Sequence, residues 1–337
     1  LNILGIESSC DDTAASVLTE AGVLSNVIAS QSVHIQFGGV VPELASRAHH
    51  RTISQTVEQA LSEAQLSIQD IDLIAVTQGP GLMGSLLVGL SFAKGLSLAH
   101  HIPLVGVNHM DAHIYASTIE HSLEYPFIAL TVSGGHTQLT KLSSPHSREI
   151  IGQTRDDAAG EAFDKVGKLL GLDYPAGPKM DCLSREGNPH FHVFPKGLIR
   201  EGLDFSFSGL KTSVLYYLQD KDEAFITQHL NDICASVSHA ITEVLVAKLE
   251  RAMQLHSIPR AVLAGGVSAN SMLRIKVAAM AEENDFTIHK PALAYCTDNA
   301  AMIAATAKVL LENEPLFDRG NKLKDGLGIH PYAAQPV

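Results

Sequence analysis

A chain of 337 residues, 45% of them hydrophobic and 18% charged, is long enough for two domains or lobes and apolar enough to bury a large core. Its net charge of −12 excludes a protein that grips nucleic acid over its whole surface, because neutralising phosphates takes clustered Lys and Arg. No apolar run approaches the roughly eighteen residues of a membrane span, and Cys10, Cys182, Cys234 and Cys296 form no CxxC pair, which argues against a zinc ribbon or a disulfide framework.

The sequence opens directly on the strand-like ILGIESS without a basic leader, so a soluble cytoplasmic protein is expected. Asn2 to Leu18 reads as strand, tight polar turn, strand: ILGI, then ESSCDDT, then AASVL. A helix is predicted from about Pro42 to Gln65, with proline at its start and Glu43 in its first turn. Asp72 to Val76 reads as a strand that runs through Gly79, Pro80 and Gly81 into an apolar helix around Met83 to Leu98. Phe127 to Leu142 repeats the opening hairpin, with FIALTV leading into Ser133, Gly134, Gly135 and His136, and TQLTKL leading out. Ser143 to about Gln228, rich in Gly, Pro, Asp and aromatic residues, reads as an insertion, where substrate contacts usually lie. Leu230 to His256 reads as one long amphipathic helix and Asp298 to Glu312 as the last helix. Between them, Arg260 to Met280 repeats strand, glycine turn (Gly265, Gly266) and a helix beginning near Ala269. A hairpin followed at a distance by strand, glycine turn and helix, twice in one chain, predicts an internally duplicated α/β protein.

Several constellations could carry chemistry. His109 and His113 in VNHMDAH stand four apart, so on a helix they share one face and can ligate one metal; ordinary satisfied histidines fit the spacing as well. Met110 occupies the position where an HExxH protease has its glutamate. Asp298 sits where a helix starts and reads either as an N-cap or as the carboxylate of a two-His, one-carboxylate site. GPGLMG at Gly79 to Gly84 is formally a GxGxxG, but no acidic residue ends the next strand, and a tight turn is the better reading. The turns at Ser133 to Gly135 and at Gly265 and Gly266 read as anion cradles facing each other across a cleft, or as two ordinary turns. Glu7, Asp11 and Asp12 crowd one turn, where repulsion raises at least one pKa or recruits a cation unless the turn is a solvated tip. Asp156, Asp157, Glu161 and Asp164 suit the N-terminal turn of the helix EAFDKVGKLLGL, and Asp164 could instead accept from a hydroxyl-bearing ligand.

Taken together, GIESSCDDT, GGVVPELASR, GPGL, NHMDAH, VSGGHTQL, DDAAGEAFDKVGKLLGLDYP, DFSFSGLKT, AGGVSAN and CTDNAAMIA closely resemble the TsaD family, in unbroken order from residue 3 to about residue 310. The resemblance implies a duplicated α/β fold of the actin-like ATPase (ASKHA, RNase H-like) class, two lobes with a central cleft. The expected division is an N-terminal lobe at 1–118, a C-terminal lobe at 119–297 with its insertion at about 143–228, and a helix and tail at 298–337 packing back on the N-terminal lobe.

The resemblance also implies an activity: transfer of threonylcarbamoyl from threonylcarbamoyl-AMP to N6 of the adenosine 3′ to the anticodon, in tRNAs reading codons that begin with A, forming t6A and releasing AMP. Carried over by position, His109, His113 and Asp298 look like ligands of one divalent metal, Fe(II) first and Zn(II) as the alternative. Thr131, Val132, Ser133, Gly134, Gly135, Asp164, Gly177, Asp181 and Asn270 look like contacts to the adenylate, and Asp11 resembles the acidic residue needed for transfer. Asp12 stands where the family commonly has Glu, and Ala176 where a second glycine is frequent.

The implied partners are tRNA, threonylcarbamoyl-AMP, a TsaB-like paralogue and a TsaE-like ATPase, with no membrane. The helix at Pro42 to Gln65 and the one after Gly81 are candidates for the paralogue's docking face. The candidate cationic patches for tRNA are Arg47, His49, His50 and Arg51, and Lys196, Arg200 and Lys211. The rival readings are a kinase or ATPase of the same fold, a metallopeptidase, and a non-catalytic nucleotide sensor.

Overall fold

The computed structural model describes residues 1–37, 39–313 and 326–334; Gly38 of the GGVVPELASR motif, and much of the tail expected at 298–337, lie outside the described residues. The chain forms two compact units, one of Leu1–Ser122 with Pro291–Val337 and one of Leu123–Lys290.

The first unit is built on β1 (Ile3–Glu7), β2 (Asp12–Thr19), β3 (Gly22–Ser30), α1 (Pro42–Glu63), β4 (Leu73–Gly79), α2 (Met83–His100), β5 (Leu104–Asn108) and α3 (His109–Tyr115). Its sheet has the order β3-β2-β1-β4-β5, antiparallel through the opening meander and parallel from β1 onward. β1 lies at the centre and is buried at all five positions. Because side chains alternate across a strand, Leu4 and Ile6 pack with Ile53 and Val57 of α1 and Leu90 and Ala93 of α2. Ile3 faces the other way.

The second unit repeats this plan with β6 (Phe127–Val132), β7 (Thr137–Ser144), β8 (Ser147–Gln153), α4 (Ala159–Leu169), α5 (Ala176–Ser184), α6 (Ser208–Gln219), α7 (Glu223–Gln228), α8 (Leu230–His256), β9 (Arg260–Ala264), α9 (Ser271–Asn284) and β10 (Thr287–His289). The sheet order β10-β9-β6-β7-β8 matches the first sheet strand for strand, an antiparallel meander followed by parallel strands. The duplication predicted from the repeated hairpin and glycine turn is therefore real. Each sheet has an edge strand that the pattern reading missed, β3 and β8. β8 falls inside the stretch read as an insertion, yet it belongs to the repeated scaffold.

The chain then returns to the first unit through α10 (Ala300–Asn313), whose Met302 and Ile303 cluster with Ile3, Leu73 and Ala75 on the face of the sheet opposite α1 and α2. The approach is close enough that a Cβ on Gly5 would run into the Ala300 carbonyl oxygen and stand 3.2 Å from Ala304 Cβ. Neither neighbour is the end of a flexible side chain, so Gly5→Ala should destabilise the protein by about 1–3 kcal/mol through overpacking. Urea unfolding followed by circular dichroism reads this as a lower midpoint; an unchanged midpoint would mean that α10 has room to withdraw.

Candidate metal centre

β5 ends at Asn108, whose side-chain oxygen accepts from Met110 N (2.9 Å) and Asp111 N (3.0 Å) and so starts α3 without a gap. One helical turn then brings His109 and His113 onto the same face, both buried, with ring centroids 4.7 Å apart. The third group arrives from the far end of the sequence. Asp298 Oδ1 lies 3.2 Å from His113 Nε2 and 3.5 Å from His109 Nε2. The N-cap reading of Asp298 gives way here: Asn299 Oδ1 accepts from Met302 N at 3.0 Å and caps α10, and the Asp298 carboxylate faces the histidines.

Glu7, fully buried at the end of β1, holds one of those rings. Its Oε2 accepts from His109 Nδ1 (3.1 Å) and Thr77 Oγ1 (2.5 Å), and Oε1 accepts from Ser9 N. With Nδ1–H given to Glu7, His109 Nε2 is the atom directed at Asp298. Burial opposes a charge on His109, but Asp298 and Glu7 overcome it and raise its pKa to about 9. Burial likewise pushes Glu7 up, and the charge and hydrogen bond of His109 prevail to hold it below the usual carboxylate range. Two carboxylates around one imidazole thus favour a positive charge between them, proton or metal ion. The donor set suits a divalent ion: a tetrahedral centre with bonds of roughly 2.0–2.2 Å separates its ligand atoms by roughly 3.4 Å. The ligand atoms of His109, His113 and Asp298 lie within 4.8 Å of one another, the one such group among the described residues. In the sequence Glu7 reads only as part of an acidic turn; its place at the end of an apolar strand is the signal that it is buried and must have a partner.

The positions that the family resemblance assigns to the adenylate all lie in the second unit. Ser133 to Gly135 join β6 to β7, with Ser133 N donating to His136 O (2.8 Å) and Gly134 and Gly135 exposed. α4 backs this turn closely, since Gly160 N donates to Ser133 O at 3.2 Å and a Cβ on Gly160 would stand 2.5 Å from that oxygen. Gly265 closes against the backbone of Val132, so both glycine turns sit side by side in this unit, in place of the two facing turns expected from separate halves. Thr131 Oγ1 is buried without a hydrogen-bond partner. Asp164 Oδ1 accepts from Ala176 N (2.8 Å) at the start of α5, where a Cβ on Gly177 would meet only Phe163 Cβ, at 4.0 Å, and burial raises the pKa of Asp164. Asp181 accepts from Ser271 N (2.8 Å) and Ser271 Oγ (2.7 Å) and pairs with Arg185 (2.7 Å). Asn270 Oδ1 caps α9 through Leu273 N at 2.9 Å.

A profile of the TsaD family, described as tRNA N6-adenosine threonylcarbamoyltransferase, matches residues 22–305. The chain belongs to the TsaD family. The tRNA N6-adenosine threonylcarbamoyltransferase of Prosthecochloris aestuarii is 49% identical over 99% of this chain and 99% of its own length. The enzyme of that name from Christiangramia forsetii is 51% identical over 90% of this chain and 91% of its own. Among solved structures, full-length HypF in its phosphate- and nucleotide-bound form has a TM-score of 0.62 at 15% identity, covering 92% of this chain and 46% of that one. Component A of the Acidaminococcus fermentans (R)-2-hydroxyglutaryl-CoA dehydratase has a TM-score of 0.55 at 12% identity, covering 92% and 99%. These two likenesses establish the actin-like fold.

The acidic turn of this TsaD-family chain, between β1 and β2, is held from behind. Cys10 O accepts from His49 Nε2 (2.9 Å) and Ser85 Oγ (3.1 Å), while His49 Nδ1 accepts from Thr13 Oγ1 (2.7 Å). Asp11 lies half-buried on this turn. Asp12, in place of the family's usual Glu, has its pKa raised to about 6, by burial first and then by Asp298, Asp11 and Glu7, against a hydrogen bond from Ser30. His49 needs a neutral ring to accept from Thr13 while donating to Cys10, and burial lowers its pKa from the ordinary 6.5 despite the Cys10 bond and nearby carboxylates. The unfolded chain therefore takes up a proton near pH 6.5 that the folded one refuses, so this residue withdraws stability as pH falls below that value. His49→Gln should lose less unfolding free energy than the wild type between about pH 7 and pH 5; equal losses in parallel urea titrations would contradict the neutral buried ring.

Proposed function

We propose that this chain transfers threonylcarbamoyl from threonylcarbamoyl-AMP to N6 of the adenosine 3′ to the anticodon, in tRNAs reading codons that begin with A, forming t6A and releasing AMP. The observation that carries this reading is the group of two buried histidines, His109 and His113, with the half-buried Asp298, backed by Glu7, in a member of the TsaD family. An adenine amine is a weak nucleophile because its lone pair is delocalised into the ring, so the acyl donor must be activated. A mixed carbamic-phosphoric anhydride is activated, with AMP as leaving group.

In the first unit, the two imidazoles and the Asp298 carboxylate would hold a divalent ion, Fe(II) or in its place Zn(II). When bound, the ion supplies Lewis-acid polarisation and anchoring of the donor. Glu7 keeps His109 Nε2 directed at that position by accepting from Nδ1. Asp11 is the carboxylate that accepts the proton lost by N6. In the second unit, the exposed backbone of Gly134 and Gly135 and the α5 and α9 caps at Asp164, Asp181 and Asn270 are the contacts for the adenylate.

The chain's own hold on tRNA should be weak. Net charge is −12, Arg47 is paired with Glu43, and Lys196 with Glu243. His49 is buried in the relay behind the acidic turn and drops out of the cationic patch read from the sequence. A TsaB-like paralogue on α1 and α2 and a TsaE-like ATPase are the proposed helpers, in the cytoplasm; no helix among the described residues is long and apolar enough to cross a membrane.

The test is mass-spectrometric nucleoside analysis after incubating the chain with threonylcarbamoyl-AMP, tRNA and both helpers. Multiple turnovers to t6A are expected, with poor turnover by the chain alone. His109→Ala and Asp298→Ala should each reduce transfer at least about a hundredfold with circular dichroism unchanged. Absence of t6A, or full activity in a metal-free Asp298→Ala protein, would overturn the reading.

A further inference from the structure

We infer that the C-terminal segment Gly326–Ala334 is a strap that positions the metal-bearing helix, with Tyr332 as its positioning residue. The inference rests on reading His109 and His113 as metal ligands.

The strap is built into the first unit. Gln78 Nε2 donates to His330 O (2.8 Å), Tyr332 N to Gln78 O (3.2 Å), Gly81 N to Ala333 O (3.3 Å) and Lys94 Nζ to Ile329 O (2.6 Å). Three glycines make room for it. A Cβ on Gly79 would run into the Tyr332 carbonyl oxygen and ring, one on Gly106 would stand 3.0 Å from Ile329 Cγ2, and one on Gly326 would stand 2.7 Å from Leu104 O. Glycine at both strand positions and within the strap is what a permanently docked segment requires, since any side chain there would lift it off.

The functional link runs through one side chain. Asn108 is paired with Gly79 in the sheet and caps α3, and its amide orientation is settled by the two backbone N–H groups that its oxygen accepts. Its Nδ2 is thereby aimed at Tyr332 and donates to the phenol oxygen at 2.8 Å. The next residue in the chain is His109. A change in the pose of the cap is transmitted first to that ligand, within one residue, while the Tyr332 ring lying over Gly79 keeps the cap from shifting outward.

The test uses the full chain and Co(II), whose visible absorption reports its ligand field. Tyr332→Phe removes the phenol oxygen and keeps the ring; Asn108→Ser keeps a capping oxygen and loses the amide Nδ2 that reaches the phenol. Chelator competition should show each variant binding Co(II) about 3- to 10-fold more weakly than the wild type, the range of one neutral hydrogen bond. The double variant should be little weaker than either single one, because both remove the same bond. A shifted thermal midpoint with unchanged Co(II) affinity and spectrum, or additive losses, would overturn the strap's positioning role and leave the metal reading standing. Failure of the wild-type chain to bind Co(II) would remove the metal reading, and this inference with it.

Discussion

The close approach of α10 to the central strand β1 is the constraint on which the candidate centre depends. Gly5 admits the backbone of Ala300, and Ala300 stands two residues after Asp298. Through that contact a carboxylate almost two hundred residues from the histidines in sequence arrives within 3.2 Å of one of them. The small residues at the start of α10, Ala300, Ala301, Ala304 and Ala305, are all buried and let the helix lie close to the sheet. Packing of small side chains here determines how closely the Asp298 carboxylate approaches the two histidines, a grouping that neither segment supplies alone.

A second constraint is electrostatic. A carboxylate buried as completely as that of Glu7 is tolerated only when its oxygens are satisfied and a positive charge stands near. Thr77, Ser9 and His109 meet the first requirement, and the imidazole meets the second. The same bonds fix which nitrogen of His109 faces Asp298. His113 has no such support, since its Nδ1 is buried without a hydrogen-bond partner. The two histidines are therefore held differently: both rings approach Asp298 through Nε2, but only His109 is also anchored through Nδ1, by Glu7.

Local signals made much of this legible in the sequence. The paired hairpins and the strand and glycine-turn units depend on neighbours in the chain and reported the duplication; the four-residue spacing of the histidines gave a shared face only on condition of a helix, which α3 supplies. What depends on distant neighbours stayed hidden. The edge strands β3 and β8 are partly exposed and mix polar with apolar residues, so neither shows the buried run that marked β1 and β6. Asp298 and Asn299 are both good caps, and only the fold shows that Asn299 takes that role. His49 looked like one member of a surface cluster because its partners Thr13 and Cys10 lie on a different element. The strap at 326–334 carries no periodic pattern, and its fit is recorded in the glycines of β4 and β5, far from the strap itself.

The most direct measurement of the centre is anomalous X-ray diffraction from crystals loaded with Co(II), collected above and below the metal edge. One strong peak is expected, bounded by His109 Nε2, His113 and the Asp298 carboxylate, with its loss in Asp298→Ala while the sheet is unchanged. A peak elsewhere, or none at this position in the wild-type protein, would contradict it.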